Sequence, residues 1–208
     1  MIEELVPATV TAVATRADLS TQLFAEEVRS LGPAVGARRR EFETGRACAR
    51  RALAQLGVPA VAVGSGGRGE PLWPARVVGS ITHCARYRAC AVALADDVLA
   101  VGIDAEPDAP LPAGVLAAVA SAGEGRALAA HGTGACWDRV FFSAKEAVFK
   151  AWYPLTGQAL AFEDADVRID PAAGTFGARL LVDGPLRELR GRWGRGAGIV
   201  CTAVVVAR

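Results

Sequence analysis

Apolar positions along the chain recur at two spacings, and each predicts a different element. Between residues 37 and 56, Phe42, Cys48, Ala49, Ala52, Leu53 and Leu56 fall broadly on one helical face, and Gly57 and Pro59 end the helix. A shorter helix is predicted over residues 20–31, with Leu23, Phe24, Val28 and Leu31 apolar. Residues 60–63 predict a short strand, followed by the glycine-rich loop Gly64–Pro71. Strands are expected over 78–82, 88–95 and 98–104, the last two joined by a turn at Asp96-Asp97. Pro107, Pro110, Pro112 and Gly114 then mark a connection. Beyond it, residues 113–130 are alanine-rich and helical. A long helix should begin near Ser143 and stop before Pro154, because proline disfavours helical backbone in the residue before it. Strands are expected over 165–170, 175–182 and 197–207, the last two as antiparallel neighbours. Helices alternating with hairpin-linked strands predict an α+β fold. The change of texture near residue 107 divides the chain into halves 1–106 and 107–208.

Bulk composition removes several function classes. The 208 residues carry a formal net charge of +1, which argues against a strongly basic nucleic-acid-binding protein. The N-terminus, MIEELVPATV, has neither the positive nor the apolar region of a secretory signal, and no apolar stretch is long enough to span a membrane. Five cysteines (Cys48, Cys84, Cys90, Cys136, Cys201) form an odd set without CxxC spacing. Free thiols in a reducing cytoplasm are expected.

Local chemistry is concentrated in a few segments. Of 23 basic residues, only Lys145 and Lys150 are lysines. Lysine is a compact charge whose pKa shifts readily on burial, whereas arginine suits fixed bidentate pairs. Upstream, Val101-Gly102-Ile103-Asp104-Ala105-Glu106-Pro107 ends an apolar strand with two carboxylates. Residues two apart in a strand point to the same side, so Asp104 and Glu106 should project together. Paired carboxylates repel unless a cation or proton intervenes, and hard oxygens of this kind suit Mg²⁺. Ser143-x-x-Glu146 matches a capping box, and Glu146 and Lys150 are spaced for a helix-surface ion pair. Alternatively, Glu146 is a third carboxylate of the acidic site or a base, with Lys150 steadying a phosphate. In Gly79-Ser80-Ile81-Thr82-His83-Cys84, a hydroxyl and imidazole cluster suits phosphate contact, though a buried core histidine is the commoner outcome. Arg39, Arg46 and Arg50 share a helical flank, either a solvated basic face or a polyphosphate clamp, with Arg38 near the helix start. Arg68 in the glycine-rich loop is a further anion candidate.

Taken together these segments resemble the 4′-phosphopantetheinyl transferases of the Sfp/EntD type, close to actinobacterial members. The resemblance rests on motifs in family order: Arg38-Arg-Arg-Glu-Phe42, Gly45-Arg46-x-Cys48-Ala-Arg50, Gly69-Glu70-Pro71-x-Trp73-Pro74, Gly79-Ser-x-Thr82-His83-Cys84, Val101-Gly-Ile-Asp104-x-Glu106, Trp137-Asp138 and Phe142-Ser-x-Lys145-Glu146-x-x-x-Lys150-Ala-Trp152. It covers residues 37–165 most strongly. The resemblance implies two similar α/β halves in a pseudo-twofold arrangement with coenzyme A in the cleft between them. It implies transfer of the phosphopantetheine arm of coenzyme A to a serine of acyl or peptidyl carrier proteins, in a cytoplasmic monomer that binds neither nucleic acid nor membrane. Asp104, Glu106 and Glu146 would then hold Mg²⁺ or Mn²⁺, with Glu146 a metal ligand or the base, and Lys150 on the pyrophosphate. Arg38, Arg46, Arg68, Thr82 and His83, the Gly69-Glu70-Pro71 segment and Lys145 would contact coenzyme A; Lys145 could instead brace the acidic site. Two other readings stay open on residues alone: another Mg²⁺-dependent phosphotransferase or hydrolase, and a non-catalytic coenzyme A-binding or carrier-docking protein.

Overall fold

The computed structural model describes residues 1–208. Its strands form two antiparallel sheets. The smaller has the order β1 (Thr11–Thr15), β5 (Tyr87–Leu94), β4 (Val77–Cys84). The larger has the order β6 (Val98–Pro107), β10 (Ile199–Ala207), β9 (Glu188–Gly196), β8 (Thr175–Leu180), β7 (Ala165–Asp170). A two-stranded ribbon, β2 (Gly64–Ser65) and β3 (Pro71–Leu72), carries the glycine-rich loop at its tip. The helices are α1 (Ala25–Leu31), α2 (Gly36–Gln55), α3 (Val115–Val119), α4 (Ala122–Ala129) and α5 (Trp137–Thr156). The fold is α+β.

Three apolar cores hold these layers together. Cys48, Ala49, Ala52 and Leu53 of α2 pack on Val77, Cys90 and Val92 of the smaller sheet. The other face of that sheet, with Ala89, Ala91 and Ala93, meets Val101, Ile103 and Ala105 of β6 and the N-terminal residues Ile2 and Leu5. On the far side of the larger sheet lies α5, through Val140, Phe141, Ala144, Val148, Ala151 and Trp152. Full burial of each such large side chain contributes about 1.5–3 kcal/mol.

The two sheets meet at a seam without a backbone ladder. Ser80 Oγ of β4 accepts from the Ile103 amide of β6 at 3.1 Å, and Thr82 Oγ1 accepts from the Ala105 amide at 3.0 Å. Buried amides require partners, and here two hydroxyls supply them. Close by, α5 crosses β6 at Gly102, where a Cβ would stand 2.0 Å from the Ala147 carbonyl oxygen. Any larger residue would push the helix away from the end of β6.

Several sequence expectations are corrected. The helix expected over 20–31 starts only at Ala25; Val28 is half-exposed and Glu27 is fully buried. Residues 60–63 form no strand, because pairing begins at Gly64. The Asp96-Asp97 turn exists, but β5 and β6 do not pair with each other: each goes to a different sheet. The alanine-rich stretch is two short helices broken near Ser121. The long helix begins six residues before Ser143, since Trp137, Val140 and Phe141 continue its apolar stripe backwards. It also runs through Pro154, in its last turn, where the missing amide removes a single bond. Gly157, at φ 67°, closes it with an amide bond to the Tyr153 carbonyl. Strand β9 was not expected, and it separates the two strands predicted to be neighbours. Its glycines hide the strand pattern, yet Gly191 is required: a Cβ there would lie 2.2 Å from the Phe176 ring.

Candidate active site

The end of β6 and the middle of α5 supply the charged centre. Asp104 and Glu106 do lie on one face of β6, the face turned to α5, and Thr202 of β10 stands opposite Asp104. Asp104 is buried and accepts from three neighbours. Lys150 Nζ is 2.6 Å from Oδ1, Thr82 Oγ1 is 3.3 Å from Oδ1, and Ser143 Oγ is 2.8 Å from Oδ2. Ser143 is therefore a buried mid-helix residue and not a cap, and the Ser143–Glu146 capping box is absent. Lys150 pairs with Asp104 and not with Glu146, so the surface ion pair along α5 does not form either.

Glu106 is held from the other side. Arg139 donates to its Oε2 at 2.8 Å and also to the carbonyls of Ala109 and Pro110, tying the start of α5 to the connection after β6. Burial raises the pKa of Glu106, Asp104 adds repulsion, and Arg139 opposes both. Glu146 makes no hydrogen bond or ion pair, and its pKa too is raised, chiefly by burial, with Lys150 opposing and Asp104 and Glu106 reinforcing. Carboxylates that repel one another in a half-buried site attract hard cations. No three His, Cys, Asp or Glu side chains, however, are gathered tightly enough to form a ligand cluster.

Beside this centre runs a cleft of about 720 Å³ between the β2–β3 ribbon, β4 and α5. Arg68, Gly69, Glu70 and Pro71 line one wall and Glu146, Phe149, Lys150 and Tyr153 the other. The Arg68 guanidinium lies 5.8 Å from the Tyr153 ring centroid. Trp73 anchors the ribbon by donating from Nε1 to the Gly79 carbonyl at 2.9 Å. Three of the loop amides are already engaged within the loop. Gly66 donates to the Glu70 carbonyl, Gly69 to the Gly66 carbonyl, and Arg68 to the Glu70 carboxylate. On the opposite side of Glu146, Lys145, Phe149, Leu160, Ala161 and Phe162 border an apolar slot of about 170 Å³.

The remaining candidates are placed as follows. His83 lies at the surface with its ring partly covered, 41% exposed, with Nε2 3.1 Å from Arg38 Nη1 and Nδ1 3.7 Å from Glu41 Oε2, so it is not a core histidine. Its pKa is lowered, mainly by burial of the ring and further by Arg38 and Lys150, while Glu41 opposes. Thr82 and Ser80 face away from His83 and serve the seam, so the three do not form one cluster. Arg46 is buried and reaches the carbonyls of Val63 (2.6 Å) and Gly64 (3.2 Å) and the Ser65 hydroxyl (2.9 Å). Burial lowers its pKa to about 10. Arg50 binds Glu27, whose carboxylate also accepts from the Val63 amide. Only Arg39 of that flank is exposed, paired with Glu43. The basic flank of α2 is thus neither a solvated face nor a clamp. Lys145 is buried, with its ammonium on Glu124 and two carbonyls. Sequence reasoning missed Glu27, Glu124 and Arg139; the capping pattern Ser121-x-x-Glu124 was the one visible signal for any of them.

Comparison with known proteins shows the family. Residues 26–93 match the 4′-phosphopantetheinyl transferase N-terminal domain, and residues 100–203 match the 4′-phosphopantetheinyl transferase superfamily. The chain is 52% identical to the 4′-phosphopantetheinyl transferase Svp of Streptomyces mobaraensis over 194 residues, covering 89% of this chain and 79% of that protein. It is 46% identical to PptT of Mycobacterium tuberculosis over 192 residues, with 87% and 85% covered. Npt of Nocardia iowensis is 45% identical over 195 residues, with 87% and 88% covered.

Proposed function

We propose a division of labour for this chain, which belongs to the 4′-phosphopantetheinyl transferase superfamily and moves the phosphopantetheine arm of coenzyme A to carrier proteins. The carrying observation is the convergence of Lys150, Glu146 and the Asp104 carboxylate at the edge of one cleft, facing Arg68 across it. Phosphoryl transfer needs alignment and charge neutralisation more than covalent help from the protein. Lys150 is half-buried, partly open to the cleft, and its ammonium moves from Asp104 to the pyrophosphate when coenzyme A arrives. Glu146 has an unpartnered carboxyl with raised proton affinity, which suits a base for the carrier serine.

The donor set fits a hard divalent cation: Asp104 and Glu106 share a strand face, and burial and mutual repulsion raise the proton affinity of Glu106. These two residues would hold Mg²⁺, or Mn²⁺ by the same hard-donor chemistry, and the ion would neutralise charge on the pyrophosphate. Glu146, the one carboxyl of the three without a hydrogen-bond partner, is assigned to proton transfer. Arg38, His83 and Arg68, with the Gly69-Glu70-Pro71 wall, contact the nucleotide end of coenzyme A. Arg46 and Thr82 act beneath that surface by holding the 63–65 segment and the seam.

The finer architecture belongs to the same reading. A 20-residue helix packs over each antiparallel sheet, α2 over the smaller and α5 over the larger, which supports a pseudo-twofold pair; the larger sheet takes its edge strand β6 from the half 1–106. A chain of this kind works as a cytoplasmic monomer without nucleic acid or membrane; no helix is long and apolar enough to cross a membrane. The test is intact-protein mass spectrometry of apo-carrier with coenzyme A and Mg²⁺. One phosphopantetheine unit should appear on the carrier serine. Consumption of coenzyme A without carrier would instead indicate a hydrolase, and binding without either product a docking protein.

A further inference from the structure

Lys145 and Lys150, five residues apart on α5, have opposite environments. The side chain of Lys150 is 26% exposed beside the cleft, whereas that of Lys145 is 3% exposed and points behind the helix. An ammonium has three hydrogens. Those of Lys145 are directed at Glu124 Oε2 (3.3 Å), the Phe162 carbonyl (2.6 Å) and the Ala165 carbonyl (2.9 Å). None remains for a ligand. Glu124 is just as buried, and its two oxygens also accept from the Ser121 and Val167 amides, each at 2.8 Å. One ion pair therefore ties together the N-terminus of α4, the middle of α5, the turn at Phe162 and strand β7.

The segment so tied is one wall of the apolar slot beside Glu146. Leu160, Ala161 and Phe162 face Phe149 across it, and Glu146 borders it next to Lys145 in the chain. Phe162 is further set by its ring contact with Phe142 at 6.0 Å. A buried ion pair contributes little net stability compared with apolar packing, but this one is hydrogen-bonded to Ser121, Phe162, Ala165 and Val167 and so fixes where they lie. We propose that Lys145 and Glu124 are positioning residues: their ion pair locks the 160–165 wall against α5 and so fixes the slot and the adjacent Glu146 for transfer, without touching coenzyme A.

This inference rests on the transferase reading of the cleft, and its test separates the two. Wild type, Glu124→Gln and the paired variant Glu124→Gln/Lys145→Met are compared for folding by circular dichroism, coenzyme A dissociation constant by calorimetry, and kcat for carrier modification. The paired variant leaves no unmatched buried charge. It should fold, bind coenzyme A within twofold of wild type, and lose at least tenfold in kcat. Glu124→Gln alone, in which Lys145 keeps its carbonyl acceptors, should lose less in the same direction. A tenfold weaker coenzyme A affinity with kcat retained would overturn the proposal by making Lys145 a ligand contact. So would full kcat in either folded variant, which would reduce the pair to a structural tie. An inactive wild type would count against the transferase reading and not against this one.

Discussion

Helices α2 and α5 are each 20 residues long, each lies on a sheet, and each buries charged side chains. The purposes differ. On α2 the buried charges face inward to backbone: Arg46 holds the 63–65 segment and Arg50 holds Glu27, which in turn holds the Val63 amide. On α5, Lys150 beside the cleft neutralises Asp104 and Arg139 neutralises Glu106, while Lys145 braces Glu124 behind the helix. On α2 arginine does the scaffold work because a planar fork reaches several fixed acceptors at once, and Lys150 stands on α5 where a single charge can change partner. The sequence signals of the two helices look alike. Only the partner, distant in the chain, separates a brace from a reagent.

The comparison breaks most readily at Arg50. Arg50→Ala leaves the fully buried Glu27 carboxylate without its cation and should cost about 3–5 kcal/mol of stability, read as a lower thermal midpoint. Transfer by the fraction still folded should remain near wild type. Loss of transfer at full stability would place Arg50 in the chemistry and erase the distinction between the helices. Asp104→Ala should do the reverse. Carrier modification is expected to fall about 10²–10³-fold, the scale of removing one group that manages reacting charge, while the thermal midpoint moves little. A variant that still modifies carrier would remove Asp104 from the centre. Exchange of the two cations comes next. Lys150→Arg should lower kcat about tenfold, roughly 1.4 kcal/mol of barrier, because a fork cannot follow a point charge from Asp104 to a phosphate. Arg46→Lys should leave kcat alone and lower stability by about 1–3 kcal/mol as bonds to Gly64 and Ser65 are lost. A fully active Lys150→Arg enzyme would mean that any cation serves there.

The smallest expected effect concerns His83. Its pKa is lowered by burial, so the unfolded chain binds the proton more readily than the folded one. Its contribution to stability is present above the ordinary histidine range, near 6.5, and is lost as pH falls through the window below it. Urea midpoints of wild type and His83→Gln measured from pH 7.5 to pH 5 should therefore diverge, with wild type losing ground on the acid side. Parallel curves would show that the imidazole is not shielded.

Period and spacing revealed much of this arrangement. Helix α2, strands β4 to β6, the shared face of Asp104 and Glu106, and the place of Lys150 on a long helix all follow from patterns local to a few residues. What stayed hidden depended on partners far along the chain. Glu27 broke the apolar stripe of its helix because Arg50 and the Val63 amide were waiting for it. Ser143 imitated a cap because Asp104 and Thr202 are remote in sequence. Strand β9 was invisible because glycine at 191, needed against Phe176, weakens the very signal that marks a strand.

The seam between β4 and β6 has a consequence for the life of the protein outside its chemistry. Each strand is the last of its sheet, and an open strand edge invites pairing with another chain. Here the two edges face one another, and Ser80 and Thr82 occupy the amides of β6 that a stranger would seek. The joint that sets Asp104 beside its lysine is also a safeguard against self-association. Alanine at both hydroxyl positions would leave two amides orphaned, so the enzyme should become prone to aggregate before it loses its helices.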